Sequence, residues 1–386
     1  MPSFGGRRSF PPRFESGLAR ARQMNRSATR RDKLRRALKK SGARALLVTN
    51  FTNVTYLSGF TGDDSYLLVA ADSQWLISDS RYATQIQQEC PGLDAYVRGA
   101  GQSMVDAVLR VIRSTKISPL GIEADSMTVS LKEQLDGRLP KVELVGTTGI
   151  VEKLREIKDK DEIAAIRRAV RTAEKAFAVV RVSLRGELTE KQVADELEHQ
   201  LRLFGAQGAS FPPIVAVGAR AALPHAVPSA KRIEEAGFVL IDWGACQGQY
   251  KSDLTRVLVT DKISTKLERV YRVVLKAQTR AIAAIRPGVS AHKIDAVARE
   301  TIVKAGFGRN FGHGLGHGVG LEIHERPRLA QNQKTPLAPG MVVTVEPGIY
   351  LPGWGGVRIE DDVLVTRSGH EVLSSTPKRL EEVVLD

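Results

Sequence analysis

Apolar positions change their period several times along this 386-residue chain, and each change predicts an element. Leu34 and Leu38 share one face of a predicted helix over residues 27–40. Short apolar runs at 45–49, 66–70 and 75–78 predict strands. Residues 103–113 and 130–138 read as helices, with a strand at 121–123 between them. Such alternation predicts a compact α/β domain ending near residue 150. A charged stretch over 152–162 follows. Beyond it Ile163, Ile166, Val170, Ala173, Phe177 and Val180 step by three and four, as one face of a helix does. Taking the charged stretch as the linker gives three parts: a tail over 1–26, an N-terminal α/β domain over 27–150 and a second domain over 151–386.

The second domain carries a weak internal repeat. Thr189 matches Ser290, Val193 matches Ile294 and Gly205 matches Gly306, each at an offset of 101. Thr189 with Gln192 has the capping-box pattern of a helix start, and Ser290 is the equivalent N-cap. A duplicated αβ unit is predicted, with half-sites arranged about a pseudo-twofold axis.

Composition narrows the class. No apolar run approaches the ~20 residues of a membrane span. Cys90 and Cys246 offer neither a disulfide framework nor a metal-ligand spacing, and read as small hydrophobes in a reducing, cytoplasmic compartment. The formal charge of +14 suggests nucleic acid until it is mapped: residues 1–40 alone are at +11, which leaves the rest at +3. The body is therefore near neutral, and no nucleic-acid partner is expected. The Arg- and Ser-rich tail reads as a disordered extension, with an organelle-targeting segment as the alternative.

Candidate chemistry lies in the second domain. Asp242 follows the run 238–241 and Asp253 precedes 255–259; a hairpin would bring both carboxylates to one end of a sheet. His313 and His317 flank Gly-Leu-Gly, where glycine at 312, 314 and 316 argues against a helix and allows close backbone approach. His324 is the third histidine within twelve residues, out of seven in the chain. Glu346 follows the run 341–345 and Glu360 follows 355–359, where a lone buried carboxylate would be costly. Pairing with Arg358 would not satisfy Glu360 by itself. Carboxylates crowded together suppress one another's ionisation unless cations neutralise them. Oxygen-rich sites with one imidazole favour manganese, iron or cobalt. The residues point to metal-dependent amide hydrolysis on two ions.

Five motifs then resemble those of the pita-bread metallopeptidases, prolidase and aminopeptidase P in particular. They are Ala222-Leu223-Pro224-His225-Ala226, Asp242-Trp243-Gly244 with Ser252-Asp253-Leu254-Thr255-Arg256, the run 311–325, the run 339–350, and Gly356-Val357-Arg358-Ile359-Glu360-Asp361. Tyr56-Leu57-Ser58-Gly59-Phe60-Thr61-Gly62 and Asp79-Ser80-Arg81-Tyr82 match the smaller N-terminal domain more weakly. The resemblance implies an α+β chain: a creatinase-type α/β domain, then a pita-bread catalytic domain with pseudo-twofold αβ repeat. It implies Asp242, Asp253, His317, Glu346 and Glu360 as ligands of two divalent ions, most often manganese, with cobalt, iron or zinc as alternatives. Asp253 and Glu360 would bridge. His225, His324 and Glu346 would be catalytic, with His225, His313, His324 and Arg358 binding substrate, and Thr255 and Tyr350 orienting ligands. One departure is Arg220, near a position where the family often has Asn.

The implied reaction is hydrolysis between an N-terminal residue and proline in dipeptides or short peptides, by a homodimeric enzyme with no membrane partner. Alternatives are a metal-dependent aminopeptidase or amide hydrolase of other specificity, or a pita-bread binding module without catalysis.

Overall fold

The structure, a computed structural model, describes residues 17–385, with side chains from Met24 onward. It divides into two compact units between Leu154 and Arg155. In the first, α1 spans Gly17–Leu38, so residues 17–26, read above as tail, belong to a helix. Ala, Arg and Leu favour that state, and no Gly or Pro follows Gly17 to interrupt it. What was expected of residues 1–16 lies outside the described residues.

Six strands form the first sheet: β1 (Ala45–Val48), β2 (Ser65–Ala70), β3 (Gln74–Asp79), β4 (Ala95–Arg98), β5 (Leu120–Glu123) and β6 (Leu144–Thr147), in the order β4-β3-β2-β1-β5-β6. The β1–β2 and β2–β3 pairs are antiparallel; β3–β4, β1–β5 and β5–β6 are parallel. Helices α2 (Phe51–Ser58), α3 (Ala83–Glu89), α4 (Met104–Thr115) and α5 (Val129–Arg138) connect them. The Tyr-Leu-Ser-Gly motif is the end of α2: Gly59 takes the left-handed conformation at φ +84° and its N–H donates to Thr55 O. Asp79 of the other motif accepts from the Arg81 N–H and so caps a short 3-10 turn.

The charged stretch is mostly helical. α6 (Ile150–Arg155) runs to the division, and α7 (Lys160–Ser183) starts after Asp159, whose carboxylate and Glu162 form a capping box. In the second unit α7 is followed by α8 (Glu190–Leu203), then α9 (Thr265–Ala284) by α10 (Ala291–Lys304). Thr189 accepts from Gln192 N at the start of α8, and Ser290 from Lys293 N at the start of α10. Gly205 and Gly306 follow at φ +93° and +91°. The two halves thus begin and end equivalent helices at the same offset, as the repeat predicts.

Between α8 and α9 lie β7 (Gly208–Ala209), β8 (Ile214–Val217), β9 (Phe238–Trp243), β10 (Ala245–Gln247), β11 (Tyr250–Lys251) and β12 (Leu254–Val259). After α10 come β13 (Gly316–Gly318), β14 (Glu325–Leu329), β15 (Val342–Val345), β16 (Gly348–Leu351), β17 (Gly355–Arg358), β18 (Asp361–Val365) and β19 (His370–Val372). Sheets β12-β9-β8 and β14-β13-β15-β18-β19 are antiparallel throughout, and β16-β17 is a separate ribbon. A bridge from Thr255 to Glu360 joins the two larger sheets. The core is anchored at Trp243, fully buried, whose ring stacks on Phe177 at 4.0 Å and whose indole N–H donates to Ala173 O. Because side chains alternate along a strand, fixing Trp243 against α7 turns Asp242 to the opposite face.

Candidate metal centre

The hairpin predicted for the two aspartates forms, with a smaller ribbon at its tip. β9 pairs with β12 so that Asp242 faces Thr255, and Asp253 enters one residue before β12. Glu360 lies at the bridge between β17 and β18, opposite the same Thr255. One oxygen from each of Asp242, Asp253 and Glu360 lies within 4.8 Å of the others, and all three residues are buried. His317, in β13, brings Nε2 to 3.3 Å from Glu346 Oε1 and 3.6 Å from Asp253 Oδ2. The structure therefore gathers all five residues expected as ligands.

Glycine has a concrete role in the His313–His317 run. A Cβ on Gly316 would sit 2.1 Å from Thr344 O, so only glycine lets β13 lie this close to the neighbouring strand. The close approach serves strand packing, and it places the Thr344 hydroxyl between His317 and Glu346. Thr344 Oγ1 accepts from His317 N at 3.0 Å and donates to Glu346 Oε1 at 3.1 Å.

Electrostatics follow from this crowding. Burial pushes the Asp253 carboxyl well above its ordinary range, and the charges of Glu360, Asp242 and Glu346 add to it. Glu360 is pushed up by burial, then by Glu346 and Asp242. Asp242 also rises through burial, against the opposing pull of Arg358. Glu346 would rise on burial, but the His317 hydrogen bond and charge bring it below its ordinary value. Burial depresses His317, yet Glu346 raises it overall.

Two buried groups organise the carboxylates. Thr255 Oγ1 donates to Glu360 Oε2 at 2.6 Å and accepts from Arg358 Nε at 3.1 Å. Arg358, 3% exposed, spends its other donors on Tyr350 OH at 2.9 Å and on Asp242 Oδ2. The resemblance gave it a place lining the substrate pocket, and its guanidinium reaches across to β9, where it orients Asp242. Tyr350 in turn meets His313 Nε2 at 2.9 Å, and burial lowers the imidazolium pKa of His313.

His225 and His324 are exposed. His324 lies edge-on to His317, ring centroids 4.4 Å apart. Burial, then the charge of His317, lowers its pKa, and His225 contributes in the same direction. Sequence reasoning gave no role to Thr344 or Asp362. The first lies two residues before Glu346, and strand period 2 could have flagged it. Asp362 lies two beyond Glu360; its Oδ2 accepts from Asp253 N at 3.0 Å, and burial pushes its carboxyl up to about 8.

This donor set fits divalent cations. Asp242 Oδ1, Glu360 Oε1 and Asp362 Oδ1 are buried without a hydrogen-bond donor, a costly state for a carboxylate that nearby positive charge relieves. Oxygens with one imidazole suit a hard or borderline ion. Among the described residues no other group of three His, Cys, Asp or Glu has this spacing.

Comparison with known proteins agrees. Residues 164–367 match the model of metallopeptidase family M24, and residues 30–157 that of the creatinase/prolidase N-terminal domain. An uncharacterized peptidase of Bacillus subtilis is 39% identical, over 90% of this chain and 98% of its own. A solved Xaa-Pro dipeptidase from Bacillus anthracis is 40% identical with a TM-score of 0.89, covering 93% of this chain and all of that one. An X-Pro aminopeptidase structure from Thermotoga maritima reaches 36% and 0.82, covering 89% and 99%. Among the described residues no helix is long and apolar enough to cross a membrane. The fold is thus a creatinase-type N-terminal domain followed by a pita-bread catalytic domain, and with its acidic centre in place the chain belongs to metallopeptidase family M24.

Proposed function

We propose that this enzyme hydrolyses the bond between an N-terminal residue and proline in dipeptides or short peptides, using two divalent ions, manganese first among them. The observation that carries the reading is the buried trio Asp242, Asp253 and Glu360, with ligand atoms within 4.8 Å and two oxygens lacking donors. Relatives and neighbours named for Xaa-Pro dipeptidase and aminopeptidase activity support the proline specificity.

Asp242, Asp253, His317, Glu346 and Glu360 would hold the ions. Bound there, two cations supply Lewis-acid polarisation of the scissile carbonyl and make water a nucleophile near neutral pH. Glu346 takes and passes on a proton at its carboxylate, steadied by the Thr344 hydroxyl. His324, with its depressed pKa, is neutral at neutral pH and presents an imidazole to the developing oxyanion or the leaving nitrogen. His225 binds the substrate beside it. Arg358 and Thr255 act through the carboxylates they orient.

The test strips the purified protein of metal, restores manganese, and follows Ala-Pro and Ala-Pro-Ala together by mass spectrometry. Cleavage of either only with metal is expected. Failure on both with two ions bound would overturn the proline specificity. His324→Ala should lose about 10²–10⁴-fold in turnover with both ions retained; near-normal turnover refutes its role.

A further inference from the structure

The loop that carries His225 is tied down by a residue outside the metal centre. Glu190, the first residue of α8, is completely buried. Its carboxylate accepts Val217 N at 2.8 Å, Ser229 N at 2.8 Å and the Ser229 hydroxyl at 2.6 Å, which closes the two ends of the loop. Arg220 supplies the charge: its Nε lies 3.0 and 2.9 Å from the two Glu190 oxygens. The guanidinium then reaches across the loop, and Nη2 donates to Val227 O at 2.5 Å. Arg220 thereby brackets His225 between residues 220 and 227. The base of the loop also rests on β17, where a Cβ on Gly356 would come within 2.1 Å of Ala221 O.

The other half solves the same problem with different positions. Asp295 of α10 is completely buried and accepts both Nε and Nη2 of Arg299 at 2.9 Å. The same carboxylate accepts Leu315 N at 3.1 Å. Arg299 donates to Phe311 O at 3.1 Å and to His313 O at 2.8 Å, and its guanidinium lies 4.3 Å from the Phe311 ring centre. His313 is bracketed as His225 is.

We propose that Glu190–Arg220 and Asp295–Arg299 are paired positioning devices, one in each half, that hold His225 and His313 in place for the substrate. The proposal rests on the reading that these histidines engage substrate. It also gives the departure at Arg220 a function: the side chain is folded onto a buried acid and fastens the loop. A planar guanidinium suits this task better than an ammonium, since its Nε serves the carboxylate while Nη2 in the same plane serves a carbonyl. Small misplacement of a substrate-binding group is costly, by up to about 100-fold for 1 Å.

The test is a set of double-mutant cycles on the manganese-loaded enzyme with Ala-Pro: Arg220→Ala with His225→Ala, and Arg299→Ala with His313→Ala. Metal content and Tm are measured alongside kcat and KM. Each arginine variant is expected to lose roughly 10–100-fold in kcat/KM with metal content unchanged. The second change should cost less than about twofold once the histidine is absent, since coupled residues fail to add. Arg220→Lys should recover part of the loss. Arginine effects that are absent, or of equal size with and without the histidine, overturn the positioning role for that half. If His225→Ala and His313→Ala are themselves without effect, the substrate-binding reading fails instead.

Discussion

Glu325→Gln removes one charge from a buried ion cluster next to His324. The Glu325 side chain is 5% exposed, with Lys158 Nζ at 3.0 Å and the Arg155 guanidinium against its other oxygen. It also accepts Glu322 N at 3.0 Å. Burial pushes the carboxyl up, but Lys158 and Arg155 outweigh it and hold the pKa at about 2, against an ordinary 4.5. An acid depressed in the folded state stabilises fully above its unfolded pKa, and that contribution is lost as pH falls from about 4.5 toward 2. A gap of roughly 2.5 units corresponds to about 3 kcal/mol at pH 7. Arg155 keeps Glu322 at 2.9 Å, so the cost of Gln is set by the lost Glu325 charge, about 3 kcal/mol. For a unit of this size, 3 kcal/mol is a fall in Tm of roughly 6–12 °C. The assay is urea unfolding of both proteins at pH 7 and pH 3. The difference should shrink by about half or more at the lower pH, where the native carboxylate is losing its advantage. A cost under about 1 kcal/mol at pH 7, or an equal cost at both pH values, would refute the reasoning.

Further outcomes follow from the same geometry. Asp253→Asn removes a carboxylate that burial and its neighbours drive toward the neutral form, so the metal-free protein should melt higher while the rise in Tm on adding manganese disappears; differential scanning fluorimetry with and without metal reads both. Thr255→Val leaves Glu360 and Arg358 without their shared hydroxyl, and manganese affinity or activity should fall about 10–100-fold by titration and rate measurement. A Cβ on Gly244 would stand 1.8 Å from Ser252 O, so Gly244→Ala should break the hairpin between Asp242 and Asp253, seen as loss of soluble protein or of both ions together.

Interactions that close within one turn of chain were legible in the sequence. Thr189 and Ser290 cap helices through N–H groups three residues on, so their identity and spacing carry the whole signal. Strand period and a Gly-rich turn were enough to predict the hairpin of Asp242 and Asp253, and three glycines to deny His313–His317 a helix. Short elements with little periodicity, α2, β4 and β6 among them, were missed, because eight or four residues hold too few positions to define a face.

The partnerships of the site were not legible in this way. Arg358 reaches Asp242 across 116 residues, Thr255 reaches Glu360 across 105, and Glu190 gathers both ends of a loop 27 to 39 residues away. Which donor meets which carboxylate is decided by strand order and register, and those are settled only when the whole core is buried. Residue types and local spacing therefore determined which side chains were available for chemistry and which helices would begin and end where they do. Packing decided that Arg358 would turn to Asp242, that Arg220 would fold back onto Glu190, and that buried carboxylates with unmatched oxygens would converge at a single centre.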